Sequence, residues 1–166
     1  WKNTGDDPDE EDSECINAGT VTITLEAKGN YTGTRTIVYR IIPKSLIKSD
    51  GSIADDIHAS LTGGNTTVYN REVQDPEVTV TADGIETLSD KDMTITYLKE
   101  VTTGSSAGTY TEVDECKDAG NYKIRVTGKG NYSGSFDLSY TIQQRNLNED
   151  AEDYRFAIEP ISDQTY

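Results

Sequence analysis

Two near-identical phrases carry the kind of glycine spacing that phosphate chemistry uses. They are KGNYTG at Lys28–Gly33 and KGNYSG at Lys129–Gly134, the second preceded by Gly128. A glycine-rich loop cradles a pyrophosphate when it follows a strand and opens a helix, because the helix N-terminus then turns unsatisfied N–H groups and a positive dipole end toward the anion. Here the spacing is G-x-G-x-x-x-G, the first glycine is Ala27 in the other phrase, and a strand pattern follows instead of a helical one. The phosphate reading fails on those three counts. The same letters serve a turn. Gly29 and Gly130 supply positive φ, Asn30 and Asn131 tolerate the left-handed region beside them, and Gly33 and Gly134 let the chain enter the next strand through a bulge. The rings of Tyr31 and Tyr132 are expected to fold over the end of a sandwich, hydroxyl toward water or backbone. Asn30-Tyr31-Thr32, Asn131-Tyr132-Ser133 and Asn65-Thr66-Thr67 also form sequons, glycan acceptors in a eukaryotic secretory pathway.

Other chemistry-bearing residues are sparse. The run DDPDEEDSE at Asp6–Glu14 holds seven carboxylates but lacks the ligand order of a helix–loop–helix calcium site. It reads as a solvated loop, with weak calcium binding by Asp6, Asp7, Asp9, Glu10, Glu11 and Asp12 as the alternative; a melting temperature unmoved by millimolar calcium would exclude the latter. His58 is the only histidine, and one imidazole without nitrogen or sulfur partners in register builds no zinc site. No serine or cysteine stands in a nucleophile-elbow context. Cys15 and Cys116 occupy matching places in successive units, so they are read as thiols, not as a disulfide pair, with a reactive or intermolecular role as the alternative. Lys28 and Lys129 raise the question of a Lys–Asn isopeptide lock, but both lie in a turn and not on a core-facing strand.

The elements around these residues repeat. At an offset of 101 residues, Ala18–Leu46 aligns without a gap on Ala119–Leu147, with eleven identities. The match extends upstream to Glu14-Cys15 and Glu115-Cys116 and fades downstream, where Ile57 meets Ile158 and TTVY at Thr66–Tyr69 resembles DQTY at Asp163–Tyr166. A period near 100 residues is a whole small domain, too long for a solenoid unit. The division expected is therefore 1–44 as the C-terminal part of one unit, 45–145 as a complete unit, and 146–166 as the start of a third.

Within the unit, apolar residues alternate: Val21, Ile23 and Leu25, then Ile37, Tyr39 and Ile41, and in the second copy Tyr122, Ile124 and Val126, then Phe136, Leu138, Tyr140 and Ile142. That period predicts antiparallel strands with one buried face. Further strands are expected around Ile53–Ile57, Thr66–Asn70, Glu77–Ala82, Met93–Leu98 and Gly108–Val113, with Pro76 and Asp83-Gly84 punctuating one of them. No stretch has a helical period. The fold predicted is all-β, a small β-sandwich of about seven strands.

Composition narrows the function. A formal charge of −15 with a pI near 4.3 opposes nucleic acid and anionic membrane surfaces. No apolar run is long enough to span a membrane. Because the chain opens on Trp1 with no apolar signal core behind it, it is expected to be a piece of a longer protein.

The stretches AGTVTITLEAKGNYTGTRTIVYRI, TVYNREVQDPEVTV and IEPISDQTY resemble the tandem immunoglobulin-like repeats of secreted and wall-attached proteins of Gram-positive bacteria. The pattern is closest to the MBG-type repeat with its Tyr-Gly-X motif and, more loosely, to the bacterial Ig-like (Big) domains. Its motifs appear as Tyr69-Asn70-Arg71, Pro76–Val80, Asp92–Tyr97 and Gly128–Gly134, with Asn70 in place of the motif glycine and Met93 in place of the usual tyrosine. The resemblance implies immunoglobulin-like antiparallel β-sandwich repeats, one complete and flanked by partial ones, in an extracellular, wall-attached or secreted protein. It implies a non-catalytic spacer that presents other domains, without cofactor, whose partners are neighbouring repeats. The alternative is an adhesin or carbohydrate-binding module contacting host or dietary glycan or protein. Sugars stack on open aromatic rings, so Tyr69, Tyr110 and Tyr132 are the residues to locate.

Overall fold

The computed structural model describes residues 15–82 and 87–146, together with the backbone of Lys2–Asn3. The acidic run with its calcium candidates, the Asp83-Gly84 turn and the expected third unit from Leu147 onward lie outside the described residues. Those described are all-β, without a helix.

Alternation builds two hairpins of the same design. β1 (Lys2–Asn3), β2 (Gly19–Glu26) and β3 (Thr34–Ile41) form a three-stranded sheet in that order. Two residues later comes β4 (Lys44–Ser45), then β5 (Ile57–Leu61), β6 (Thr66–Val68), β7 (Val78–Ala82), β8 (Met93–Glu100), β9 (Tyr110–Val113), β10 (Gly120–Gly128), β11 (Tyr132–Ser133) and β12 (Ser135–Gln143). β2 pairs β3 from Gly19↔Ile41 to Glu26↔Thr34, and β10 pairs β12 from Gly120↔Ile142 to Thr127↔Ser135. Each pair is thus found again at the 101-residue offset. The outer neighbour corresponds too: Lys2 and Asn3 pair Thr22 and Val21, as Leu98 and Lys99 pair Lys123 and Tyr122.

Around the second hairpin the chain completes two layers. One is a five-stranded sheet ordered β6-β12-β10-β8-β9; the other is the pair β5-β7. Residues opposite each other in an antiparallel ladder share a face, so Tyr122/Tyr140, Ile124/Leu138 and Val126/Phe136 all point one way. Val126 and Phe136 meet Leu46, Ile57, Val80, Ala82, Leu88 and Met93 in one cluster, Tyr122, Ile124 and Tyr140 join Cys116 and Ile142 in a second, and Leu138 packs against both. The opposite face is polar and carries the Arg125–Asp137 pair, Nε to Oδ1 at 2.8 Å. Among the described residues no such layer lies over the same positions of the first hairpin. Leu25 is 51% exposed where its counterpart Val126 is 0%, and Ile37 and Tyr39 are also exposed.

Three strand expectations change. The strand expected at Ile53–Ile57 begins at Ile57 instead of Ile53, because the Ile57 N–H bonds the Ala54 carbonyl in a turn and Ile53 is tied to Ile47 by an isolated bridge. The second departure is in direction: β6 runs parallel to β12, and β4 parallel to β11, so the strand pairing is mixed, not wholly antiparallel. Both parallel strands are two or three residues long and sit where an edge would otherwise be open. The expected strand from Thr66 to Asn70 is correspondingly cut to Thr66–Val68.

Candidate functional site

The repeated phrase is the connection of each hairpin. In the second copy, the Gly128 N–H bonds the Gly134 carbonyl at 2.9 Å and the Tyr132 N–H bonds the Lys129 carbonyl at 3.1 Å. In the first copy, Ala27 bonds Gly33 at 2.9 Å and Tyr31 bonds Lys28 at 3.4 Å in the same way. Gly130 and Gly134 have φ of 61° and 85°, Gly29 and Gly33 of 72° and 105°. The glycines are there for left-handed backbone.

What differs is the neighbourhood. Leaving the first hairpin, the chain needs only Ile42 and Pro43 before β4 lies against the second loop. The Lys44 N–H bonds the Asn131 carbonyl and the Leu46 N–H bonds the Ser133 carbonyl, both at 2.8 Å. Leu46 is then fully buried, and the glycines give it room. A Cβ on Gly128 would stand 3.0 Å from Leu46 Cδ1, and one on Gly134 would stand 2.9 Å from Ile47 Cγ1. Pro43, with no N–H and a fixed φ, stiffens the crossing.

The Asn131 side chain closes the arrangement from the other side. Its Oδ1 accepts the Ala18 N–H at 2.6 Å, and its Nδ2 donates to Asn17 Oδ1 at 2.9 Å. A backbone N–H can only donate, which settles which end of the amide faces Ala18. Asn17 and Ala18 lead into β2, so one loop grips the first hairpin at its entry strand through Asn131 and at its exit through Lys44–Leu46. Each of these bonds adds about 1 kcal/mol net in a partly solvated setting.

A second feature is a polar cleft of roughly 340 Å³ lined by Thr62, Thr66, Gln74, Asp75, Glu77 and Tyr140 among others. Gln74 is held by its N–H on the Cys116 carbonyl at 2.7 Å and by Nε2 on Thr67 Oγ1 at 2.8 Å, while its carbonyl accepts the Tyr140 hydroxyl at 2.8 Å. Its Oε1 is buried with no hydrogen-bond partner among the described residues. Asp75 Oδ1 accepts the Cys116 N–H at 2.6 Å. Burial, and secondarily the Asp75 charge, push the Cys116 thiol up to about 12. A thiol so placed is protonated at every physiological pH and is a poor nucleophile. Neither Cys116 nor Cys15 is in a disulfide.

The three tyrosines do not converge. Tyr132 is 8% exposed and packs in the core with Leu46, so it offers no ring face to a sugar. Its counterpart Tyr31 is 78% exposed. Tyr69 follows β6 and Tyr110 opens β9, at opposite edges of the five-stranded sheet, and Lys123 Nζ lies 4.4 Å from the Tyr110 ring centroid. His58 is exposed on β5, and Lys28 and Lys129 are exposed in their turns, away from the buried setting an isopeptide lock needs. Among the described residues no group of three His, Cys, Asp or Glu side chains is placed to hold a metal ion, and no helix is long and apolar enough to cross a membrane.

Sequence reasoning recognised Asn131 as a turn former and sequon residue and missed its side-chain grip, the β4 pairing and the Gln74–Asp75–Cys116 cluster. The signal available for the first was the identical Asn in both loops, where turn chemistry alone would have accepted glycine. The chain matches no family model, no curated protein sequence and no solved structure.

Proposed function

We propose that this chain is a non-catalytic spacer: immunoglobulin-like repeats set head to tail in an extracellular, wall-attached or secreted protein, holding other parts of that protein at a distance. The observation that carries this reading is the joint. A two-residue linker, a strand pairing and the Asn131 bonds to Asn17 and Ala18 fix one unit on the next, whereas a flexible tether would leave the two independent. The equal registers of the two hairpins support the repeat, and the MBG or Big resemblance supports its extracellular setting. A protonated, buried Cys116 and the scattered positions of the other reactive side chains favour a structural role over catalysis.

Small-angle scattering of the full chain tests the spacer. One fixed arrangement of the first hairpin on the complete unit should account for the wild-type profile, and a spread of arrangements should be needed for Asn131→Ala. A wild-type profile that itself requires a spread would contradict a rigid spacer.

The cleft at Gln74 favours a second reading, a module that binds glycan or protein. The unpaired Gln74 Oε1 beside Asp75 and threonine hydroxyls suits a hydroxyl-rich ligand. Glycan-array binding by the full chain, lost in Gln74→Ala, is the result that reading expects; a clean array removes it.

A further inference from the structure

The two parallel pairings stand where the chain enters and leaves the β4–β12 segment. β4 runs parallel to β11, and β6 runs parallel to β12 with Thr66, Thr67 and Val68 opposite Thr141, Ile142 and Gln143. Strand direction matters when the chain is pulled. In a parallel pair, the N-terminal end of one strand and the C-terminal end of the other lie at opposite ends of the ladder. Tension on those two ends acts along the strands, and the cross-strand hydrogen bonds must fail together. In an antiparallel hairpin the corresponding ends lie side by side, and the ladder opens one pair at a time.

Tension along this chain enters the segment at Lys44, directly behind Ile42 and Pro43, and leaves it past Gln143. It therefore meets β4 on β11 and β6 on β12, both in shear. At the first pairing the Lys44 N–H bonds the Asn131 carbonyl and the Leu46 N–H bonds the Ser133 carbonyl, with the fully buried Leu46 side chain behind them. At the second, the Thr141 N–H bonds the Asn65 carbonyl at 2.9 Å and the Tyr69 N–H bonds the Gln143 carbonyl at 3.0 Å. β6 is an edge strand, and one side chain holds its outer side. Gln74 Nε2 donates to Thr67 Oγ1 at 2.8 Å and to the Val68 carbonyl at 3.2 Å. The Gln74 carbonyl accepts the hydroxyl of Tyr140, a residue of β12 itself, at 2.8 Å. Gln74 thus ties β6 to the strand it would slide past.

We infer that the β4–β11 and β6–β12 pairings form a shear clamp that keeps this chain folded under tension along it, with Gln74 as the brace of the second pairing. The inference rests on the spacer reading, since a chain that links other parts of a protein is pulled from both ends. A rigid joint found together with a weak clamp would leave that reading standing and remove the clamp.

Constant-force pulling of single full-length chains tests the clamp in two directions, because forced unfolding reports the unfolding barrier. One pair of handles is placed at the chain ends. The other is placed at Lys117→Cys and Gln144→Cys in a Cys15→Ser chain, exposed positions that flank the antiparallel β10–β12 ladder at the end where Gly120 faces Ile142. Cys116 is buried and takes no handle. The end-to-end event is identified by its length, since residues 44–143 extend to the order of 350 Å. At equal force, the folded lifetime should be at least about ten-fold longer end to end than across the hairpin, the factor that two more hydrogen bonds failing at once implies. Gln74→Ala should shorten the end-to-end lifetime about five-fold or more and leave the hairpin lifetime unchanged. Circular dichroism confirms that this variant is folded, and the comparison of directions does not depend on it. Equal lifetimes in the two directions, or a Gln74→Ala effect that is absent or the same in both, would each overturn the inference.

Discussion

The side chain of Asn131 accepts the backbone N–H of Ala18 at 2.6 Å across a sequence separation of 113 residues. The bond joins the connecting loop of one hairpin to the entry strand of the other, and it gives a turn residue a second task. Gly130 and Gly134 make the turn; Asn131 uses the position the turn provides. The first hairpin is thereby tied at its entry and its exit to both sides of one loop.

Replacing Asn131 by alanine should open that side without unfolding the unit. The Ala18 amide is expected to exchange about ten-fold faster or more, as loss of bonds near 1 kcal/mol each implies, while amides within β10 and β12 keep their protection. Hydrogen–deuterium exchange read residue by residue checks this. Unchanged protection at Ala18 would mean that the bond contributes nothing to the joint.

The two glycines that close the loops should differ when changed to alanine. Both Gly33 and Gly134 have positive φ, so each variant carries strain of about 1–3 kcal/mol. Gly134→Ala also drives a Cβ to within 2.9 Å of Ile47, adding an overpacking cost of about 1–3 kcal/mol, whereas Gly33→Ala meets nothing. Denaturant unfolding should rank Gly134→Ala well below Gly33→Ala, and equal losses would show that the Ile47 contact is not tight.

Cys116 should be inert. With its thiol pushed up to about 12 by burial and by Asp75, only about one molecule in ten thousand is thiolate at pH 8. A disulfide-exchange reagent should leave Cys116 unmodified in the native protein and modify it on unfolding in denaturant. Fast native labelling of Cys116, located by peptide mass, would contradict its placement.

The outer face of the complete unit should carry a small acid-dependent term. The hydrogen bond from Arg125 holds the Asp137 carboxyl below its ordinary value, with the charges of Arg125 and Lys123 adding to it. A depressed folded value means stability that is present above the unfolded pKa near 4 and lost as pH falls through the folded value. Because Arg125 and Lys123 are well exposed, the whole pair is worth only about 0.3–1 kcal/mol. Asp137→Asn should lower the melting temperature by a few degrees at pH 7, and the gap to wild type should close in acid, as pH falls through the depressed folded value. A gap that persists in acid would point to lost packing instead.

The all-β class and the hairpins were legible because alternation at Val21, Ile23 and Leu25, and again at Tyr122, Ile124 and Val126, reports the pleat directly. The turns were legible because glycine most readily takes the left-handed backbone that Gly130 and Gly134 adopt. β4 and β6 were not foreseen as they stand: two or three residues give no period, and a parallel edge pairing depends on where another strand already lies. The role of Asn131 was hidden for a related reason. Its partners Asn17 and Ala18 lie more than a hundred residues away, and no local pattern encodes that relation. The burial of Tyr132, likewise, comes from Leu46 arriving out of the preceding linker, which is why the same residue type at Tyr31 stays exposed.

The central claim is that the first hairpin and the five-stranded sheet are held in one orientation by the Asn131 joint, and residual dipolar couplings from backbone amides of the full chain test it most directly. The account predicts that one alignment tensor fits the amides of β2 and β3 together with those of β8, β10 and β12, and that Asn131→Ala splits the fit into two tensors, the first hairpin's reduced in magnitude. Two tensors already in the wild-type chain would contradict it.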